Sequence, residues 1–128
     1  MAPLVSVVDD DVSVRKSLDR LIRSAGMKVR VFASAEEFLN SDHPCKGDCL
    51  IFDVRLPGMS GIELHHHLLA SKCEVPVIFI TAHASDDRAR LEAASDWTAA
   101  YFIKPFNGDE LLDAVDMALK WKPGGQHA

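Results

Sequence analysis

The chain predicts an α/β domain, a doubly wound five-stranded parallel sheet covered by five helices. Three observations predict it. Short strand-like runs recur five times, at Leu4-Val5-Ser6-Val7-Val8, Lys28-Val29-Arg30-Val31-Phe32, Leu50-Ile51-Phe52, Val77-Ile78-Phe79-Ile80 and Ala99-Ala100-Tyr101-Phe102-Ile103, with helical patterns filling the intervals. Most of these runs are continuously apolar rather than alternating, as strands are when helices bury both faces of a parallel sheet. Four of them stop abruptly at a polar residue, namely Asp9, Asp53, Thr81 and Lys104. In open α/β sheets that end of the strands is where ligands bind, because loops there carry polar groups while the strands hold them rigidly.

The first strand ends in Asp9-Asp10-Asp11. Val14, Leu18, Leu21, Ile22 and Ala25 then recur at helical spacing, with Arg15, Lys16, Arg20 and Arg23 between them, and Gly26 closes this first helix. The second strand alternates, which suits a place nearer the sheet edge. Ser34-Ala35-Glu36-Glu37 reads as a capping box opening a short helix with Phe38 and Leu39 inward. A loop through His43-Pro44 and Lys46-Gly47 leads to the Asp53 strand, which runs into the turn signal Arg55-Leu56-Pro57-Gly58. A third helix from about Gly61 carries Ile62, Leu64, Leu68 and Leu69 and ends before Pro76. A weakly amphipathic, alanine-rich fourth helix is expected within 82–94. Asn107-Gly108-Asp109-Glu110 reads as a capping box for the fifth, with Leu111, Leu112, Val115 and Leu119 on one face. Right-handed crossovers leave few topologies for such a chain, and the flavodoxin-like order 2-1-3-4-5 is the common one. Its switch point lies between strands one and three, which end in Asp9-Asp10 and Asp53.

The 128 residues, 48% of them hydrophobic, suit one domain with one ordinary core. The domain is expected over 1–121, with 122–128 a polar linker or tail. Nineteen acidic against fourteen basic residues give −5, so nothing global suggests a nucleic-acid surface. There is no run of 18 apolar residues and no basic stretch ahead of a long apolar one at the amino terminus, which argues against a membrane span and a signal peptide. A cytoplasmic protein is expected. Cys45, Cys49 and Cys73 are odd in number and fit none of the strong zinc spacings, so they read as three reduced thiols. His65-His66-His67 cannot converge on one ion, because consecutive helical residues point about 100° apart, and they read as a helix face.

The strand ends therefore bring three carboxylates, a hydroxyl and a lysine to one crevice. Carboxylates crowded together repel, and the arrangement is tolerable if a cation shares the site. Hard oxygen ligands on a hydrated site suggest Mg²⁺, which binds protein through one or two carboxylates plus a phosphate. A phosphoryl group held by Mg²⁺, Lys104 and Thr81, in line with an Asp53 oxygen, meets all these demands. Asp53 would then be the nucleophile and form an acyl phosphate. Taken singly, each feature has a plainer reading as a turn cap, solvated surface, strand packing or an exposed lysine. Their coincidence at one sheet edge is what favours the chemistry.

The motifs Val7-Val8-Asp9-Asp10-Asp11, Asp53-Val54-Arg55-Leu56-Pro57-Gly58-Met59-Ser60-Gly61, Pro76-Val77-Ile78-Phe79-Ile80-Thr81-Ala82 and Lys104-Pro105-Phe106 span nearly the whole chain. Carrying them, the sequence resembles the receiver domains of two-component response regulators, most closely the FixJ-type receivers found ahead of LuxR-type DNA-binding domains. The resemblance implies the flavodoxin-like (CheY-like) fold. It implies Asp53 as phosphoacceptor, and Asp10 as a direct Mg²⁺ ligand with Asp9 acting largely through water. It implies the Arg55 carbonyl as a further ligand alongside Asp53, Lys104 on the phosphoryl oxygens, and a cis Lys104-Pro105 bond. Thr81 and Tyr101 match the switch pair, which turn inward on phosphorylation, while Arg55 and His83 flank the site and would tune phosphoryl lifetime. The implied partners are a sensor histidine kinase as phosphodonor and a second copy, in a phosphorylation-dependent homodimer through the fourth helix, fifth strand and fifth helix. Neither nucleic-acid contact by this domain nor a membrane is implied, and the only chemistry is self-phosphorylation and self-dephosphorylation.

Two features stand apart. Where the family has Gly-Ala ahead of the last strand, this chain has Trp97-Thr98; Asp96 could take the left-handed conformation instead, and Trp97 reads either as half-buried in a repacked loop or as an exposed anchor for a partner. A competing function is a Mg²⁺-dependent phosphohydrolase acting on small substrates through an Asp53 aspartyl-phosphate. Against it, the haloacid-dehalogenase pattern has a second Asp two residues after the nucleophile, and Arg55 stands there.

Overall fold

In a computed structural model, residues 2–82 and 93–121 are described. Five parallel strands, β1 (Leu4–Val8), β2 (Lys28–Phe32), β3 (Cys49–Asp53), β4 (Val77–Thr81) and β5 (Thr98–Ile103), form one sheet in the order β2-β1-β3-β4-β5. This is the predicted flavodoxin-like arrangement. Helices α1 (Val12–Ser24), α2 (Ala35–Leu39) and α3 (Gly61–Ala70) follow the first three strands. The fourth predicted helix falls mostly outside the described residues, as does the tail 122–128, so the helix predicted fifth is α4 here (Gly108–Leu119). Among the described residues, no helix is long and apolar enough to cross a membrane.

Alternation along each strand divides the core in two. Val5, Val7, Cys49, Ile51, Ile78 and Ile80 pack with Leu18 and Ile22 of α1 and Leu111 and Val115 of α4. On the opposite face Val8, Leu50, Phe52, Val77 and Phe79 pack with Phe38 of α2 and Ile62, Leu64 and Leu68 of α3. The caps that fix the helix starts are local and legible. Asp11 accepts from the Ser13 and Val14 amides, Ser34 from Glu37, and Asn107 from Asp109 and Glu110. Ser60 and Glu63 form a complete capping box at α3. Gly26 follows α1 with φ +85, the left-handed conformation that glycine adopts without a Cβ penalty.

The connection into β5 is the repacked loop, not a left-handed Asp96. None of Asp96, Trp97 and Thr98 has a positive φ. Instead the Thr98 hydroxyl donates to the Ala93 carbonyl at 2.5 Å, the Thr98 amide to the Ser95 carbonyl at 3.1 Å, and the Ser95 hydroxyl accepts from the Trp97 amide at 3.2 Å. Trp121 at the end of α4 donates its indole N–H to the Asp96 carbonyl at 2.7 Å. Side chains thus close a turn that a glycine would otherwise shape, and Trp97 is half-buried, as the repacked-loop reading expects.

Two expectations are corrected. Cys45 and Cys73, 28 residues apart, form a disulfide with Cα atoms 5.7 Å apart, in place of two reduced thiols. The bond ties the 3-10 turn Pro44–Lys46 to the segment after α3. Cys49 stays a thiol, buried in β3 and pushed up to about 12 by that burial and then by the Asp48 charge. The second correction concerns the histidine triplet. His66 and His67 are exposed, but His65 is buried at 1% exposure, edge-on to Phe79 at 5.7 Å.

Reduction should therefore lower the unfolding free energy by about 3 kcal/mol, since the bond restricts a loop of this length in the unfolded chain. Denaturant midpoints measured with and without reductant should differ for the native chain and coincide for Cys45→Ser; identical native curves would exclude the crosslink. His65 yields a second expectation. Burial, then the neighbouring His66, pushes its imidazole down to about 4 from an ordinary 6.5. The unfolded chain takes up this proton near 6.5 and the folded one only near 4, so stability falls as pH drops through that window, by up to about 3 kcal/mol in all. Between pH 7 and 5, His65→Leu should lose about 2 kcal/mol less stability than the native chain. Equal losses would place His65 in contact with water.

Candidate functional site

The carboxyl edge of the sheet gathers the predicted groups. Asp9 follows β1 directly and is fully buried, and Asp53, the last residue of β3, is 5% exposed. Asp10 is exposed, yet one carboxylate oxygen from each of Asp9, Asp10 and Asp53 lies within 4.8 Å of the others. Lys104 follows β5, and its Nζ stands 3.0 Å from Asp9 Oδ2 and 3.2 Å from Asp53 Oδ2. Its amide donates to the Thr81 carbonyl at 2.7 Å, which locks the start of the β5–α4 loop to the end of β4. The Lys104-Pro105 bond is cis, as the resemblance implies.

Other contacts hold the carboxylates in place. Asp9 Oδ1 accepts from the Asp11 amide at 2.8 Å, and the Arg15 guanidinium donates to the Asp9 carbonyl at 2.8 Å. Asp53 Oδ1 accepts from the Arg55 amide at 3.1 Å. Asp9 Oδ2 is buried, and its contact with Lys104 is an ion pair without a hydrogen bond of good geometry among the described residues.

Among the described residues the charges do not balance, since one lysine faces three carboxylates. Burial raises Asp53 to about 6, the Asp9 charge adds to the rise, and Lys104 opposes both. Burial by itself would lower Lys104, but its contacts with Asp9 and Asp53 outweigh that and raise it, keeping the ammonium protonated. Among the described residues, the ligand atoms that Asp9, Asp10 and Asp53 offer are carboxylate oxygens, a set that suits a hard divalent cation such as Mg²⁺.

Thr81 is buried at the end of β4 and registers with Ile103 of β5. Tyr101, half-buried on β5, packs on the aromatic side of the core with its ring 6.4 Å from Phe79 and its hydroxyl oxygen buried. The Arg55 side chain is exposed, and His83 lies outside the described residues. Sequence reasoning missed Arg15 and Glu36. Arg15 lies six residues after the atom it binds, a spacing that marks nothing by itself, and Glu36 acts on a loop 23 residues on. A groove of about 410 Å³ lined by Ser13, Val14, Ser17, Lys104, Pro105 and Phe106 opens beside the site.

Gly61 fixes the geometry from below. It opens α3 and donates its amide to the Val54 carbonyl at 3.0 Å, and a Cβ there would fall 2.0 Å from the Asp53 carbonyl oxygen and 2.9 Å from its carbon. Both obstacles are backbone. Gly61→Ala should cost about 3 kcal/mol of stability by forcing this crossing apart. A denaturation midpoint equal to native would contradict so close an approach.

Comparison with known proteins gives one family. The response regulator receiver domain model matches residues 5–116. Nodulation protein W of Bradyrhizobium diazoefficiens is 44% identical over 112 residues, covering 88% of this chain and 49% of that protein. Response regulator protein TodT of Pseudomonas putida is 38% identical over 122 residues, covering 95% and 53%. Among solved structures, the crystal structure of FixJ-N superposes with a TM-score of 0.83 at 33% identity, covering 94% of this chain and 95% of that one. The chain spans about half the length of the curated relatives it matches.

Proposed function

The chain belongs to the response regulator receiver domain family, and on that premise we propose that it is a phosphorylation switch with Asp53 as phosphoacceptor. The observation that carries this is the convergence of Asp9, Asp10 and Asp53 oxygens within 4.8 Å, with Lys104 Nζ 3.2 Å from Asp53. An Asp53 carboxylate oxygen attacks the phosphorus of a phosphohistidine on a sensor histidine kinase. The phosphorus–nitrogen bond breaks, the imidazole leaves with its electron pair, and an acyl phosphate forms on Asp53. Lys104 would donate its ammonium N–H groups to the phosphoryl oxygens as its ion pair with Asp53 is exchanged.

Asp10, Asp53 and the Arg55 carbonyl would hold Mg²⁺, with Asp9 acting through water. When bound, the ion offsets the carboxylate charge and that of the transferring phosphoryl group. Thr81 then donates its hydroxyl to the phosphoryl group, and Tyr101 fills the space behind it. The preference between two arrangements shifts because phosphate makes contacts in only one of them. A second copy would dock through the fourth predicted helix, β5 and α4. Arg55 and His83, at the rim, would govern water access and so phosphoryl lifetime. Relatives named as transcriptional regulatory proteins, TdiR of Thauera aromatica and FixJ of Bradyrhizobium diazoefficiens, support a transcriptional output for this switch.

Incubation with a small phosphodonor and Mg²⁺ should add about 80 Da to the native chain, by intact-mass spectrometry, and nothing to Asp53→Ala. The adduct should be lost when the metal is chelated and should accompany a shift toward dimer in size-exclusion elution. An adduct that persists in Asp53→Ala would refute the assignment.

A further inference from the structure

The loop from Asp53 to α3 carries the one proposed metal ligand that has no side chain to steer it, the Arg55 carbonyl. A backbone carbonyl points where the loop's dihedral angles send it, so whatever fixes the loop fixes the ligand. The two ends are held from within. The Arg55 amide donates to Asp53 Oδ1 at 3.1 Å, and Gly61 and the Ser60–Glu63 box anchor the far end. The middle, Gly58-Met59, is held from another element. Glu36 in the first turn of α2 accepts the Met59 amide on Oε2 at 3.1 Å, across 23 residues of chain.

Three details make this more than a surface contact. The neighbouring Glu37 is committed to the α2 start, its amide bonded to the Ser34 hydroxyl at 3.0 Å and its Oε2 to the Ala33 amide at 3.4 Å, so the two glutamates divide the work. Gly58 makes room for the approach, since a Cβ there would lie 2.9 Å from Glu36 Oε2. Gly58 also has φ +73, so the sharp bend that presents the Met59 amide outward to α2 depends on glycine.

We propose that Glu36 is a positioning residue for the metal site, clamping the Gly58-Met59 peptide so that the Arg55 carbonyl faces the Asp9-Asp10-Asp53 cluster. The inference rests on the metal reading given above. Helix α2 thereby joins the site without touching it, and the Glu36 charge acts through a charge-assisted hydrogen bond rather than by ligation.

The test uses Mg²⁺ alone as the probe, followed by amide resonances of Asp10 and Arg55, with hydrogen exchange of the Met59 amide measured on the same samples. Glu36→Ala should speed Met59 exchange by about tenfold and weaken Mg²⁺ binding roughly three- to tenfold. Glu36→Gln keeps an oxygen acceptor and should stay within about twofold of native on both. Gly58→Ala, which pushes the carboxylate off, should reproduce the Glu36→Ala pair of effects. A freed Met59 amide with unchanged Mg²⁺ affinity would overturn the positioning role, as would unchanged Met59 protection in Glu36→Ala. No Mg²⁺ binding by the native chain would overturn the metal reading itself, and this inference with it.

Discussion

The ion cluster of Lys104 with Asp9 and Asp53 is the contact on which the arrangement of this domain turns. Asp9 and Lys104 follow β1 and β5 and Asp53 ends β3, so the cluster brings together three strand ends, with β4 between β3 and β5. Buried ion pairs contribute little net stability, because desolvation consumes most of the attraction. Here the balance is worse than neutral, since Asp10 adds a third carboxylate and Asp53 is raised to about 6 by burial and by Asp9. A fold keeps such a cluster for what it can bind. The excess negative charge calls for a cation, and the lysine offers a ready partner for any anion that the cation brings.

The two halves of the core differ in kind, and the difference bears on the switch. The fully buried residues of the face under α1 and α4 are aliphatic apart from Cys49, with the Phe102–Phe106 pair only at its partly buried margin. The other carries a succession of aromatic edges, Phe32 to Phe38 at 5.2 Å, Phe38 to Phe52 at 5.6 Å, and His65 to Phe79 at 5.7 Å with Tyr101 beyond. Phe52 immediately precedes Asp53, and Phe79 stands two residues before Thr81 on β4. Tyr101 therefore packs on the same layer as the residues that set the acceptor strand, and a change in its rotamer is felt as a repacking at Phe79 rather than as a free surface motion.

Much of this was legible from one sequence because strand ends write themselves in it. A buried parallel strand must stay apolar to its last residue, so Asp9, Asp53, Thr81 and Lys104 announce their places by interrupting a run. Helix caps are equally local, and Ser34 and Asn107 cap where their spacing places them, although the complete reciprocal box is the one at Ser60 and Glu63, which the sequence reading passed over. What stayed hidden is tertiary. Cys45 and Cys73 meet because the turn before β3 passes the end of α3, which no spacing reveals. His65 was masked by its two neighbours, although Ile62, His65 and Leu68 at three-residue steps mark a buried stripe. The Trp97-Thr98 turn is closed by the hydroxyls of Ser95 and Thr98, a solution available only once Ala93 and Asp96 are in position.

The acceptor strand and its surroundings also differ in freedom. β3 is paired on both sides, and Gly61 crosses so close to the Asp53 backbone that its return path has no slack. β5 is an edge strand, bonded to β4 alone, and the side chains it contributes to the core are only partly buried. On the proposed role of Asp53 as acceptor, charge added there would meet a strand with little room to move. Adjustment would fall on the Thr81, Tyr101 and Lys104 side, where β5 pairs with β4 alone and a lysine could trade a carboxylate for a phosphoryl oxygen. The proposed chemistry and the proposed signal would then be separated by the number of neighbours each strand has in the sheet.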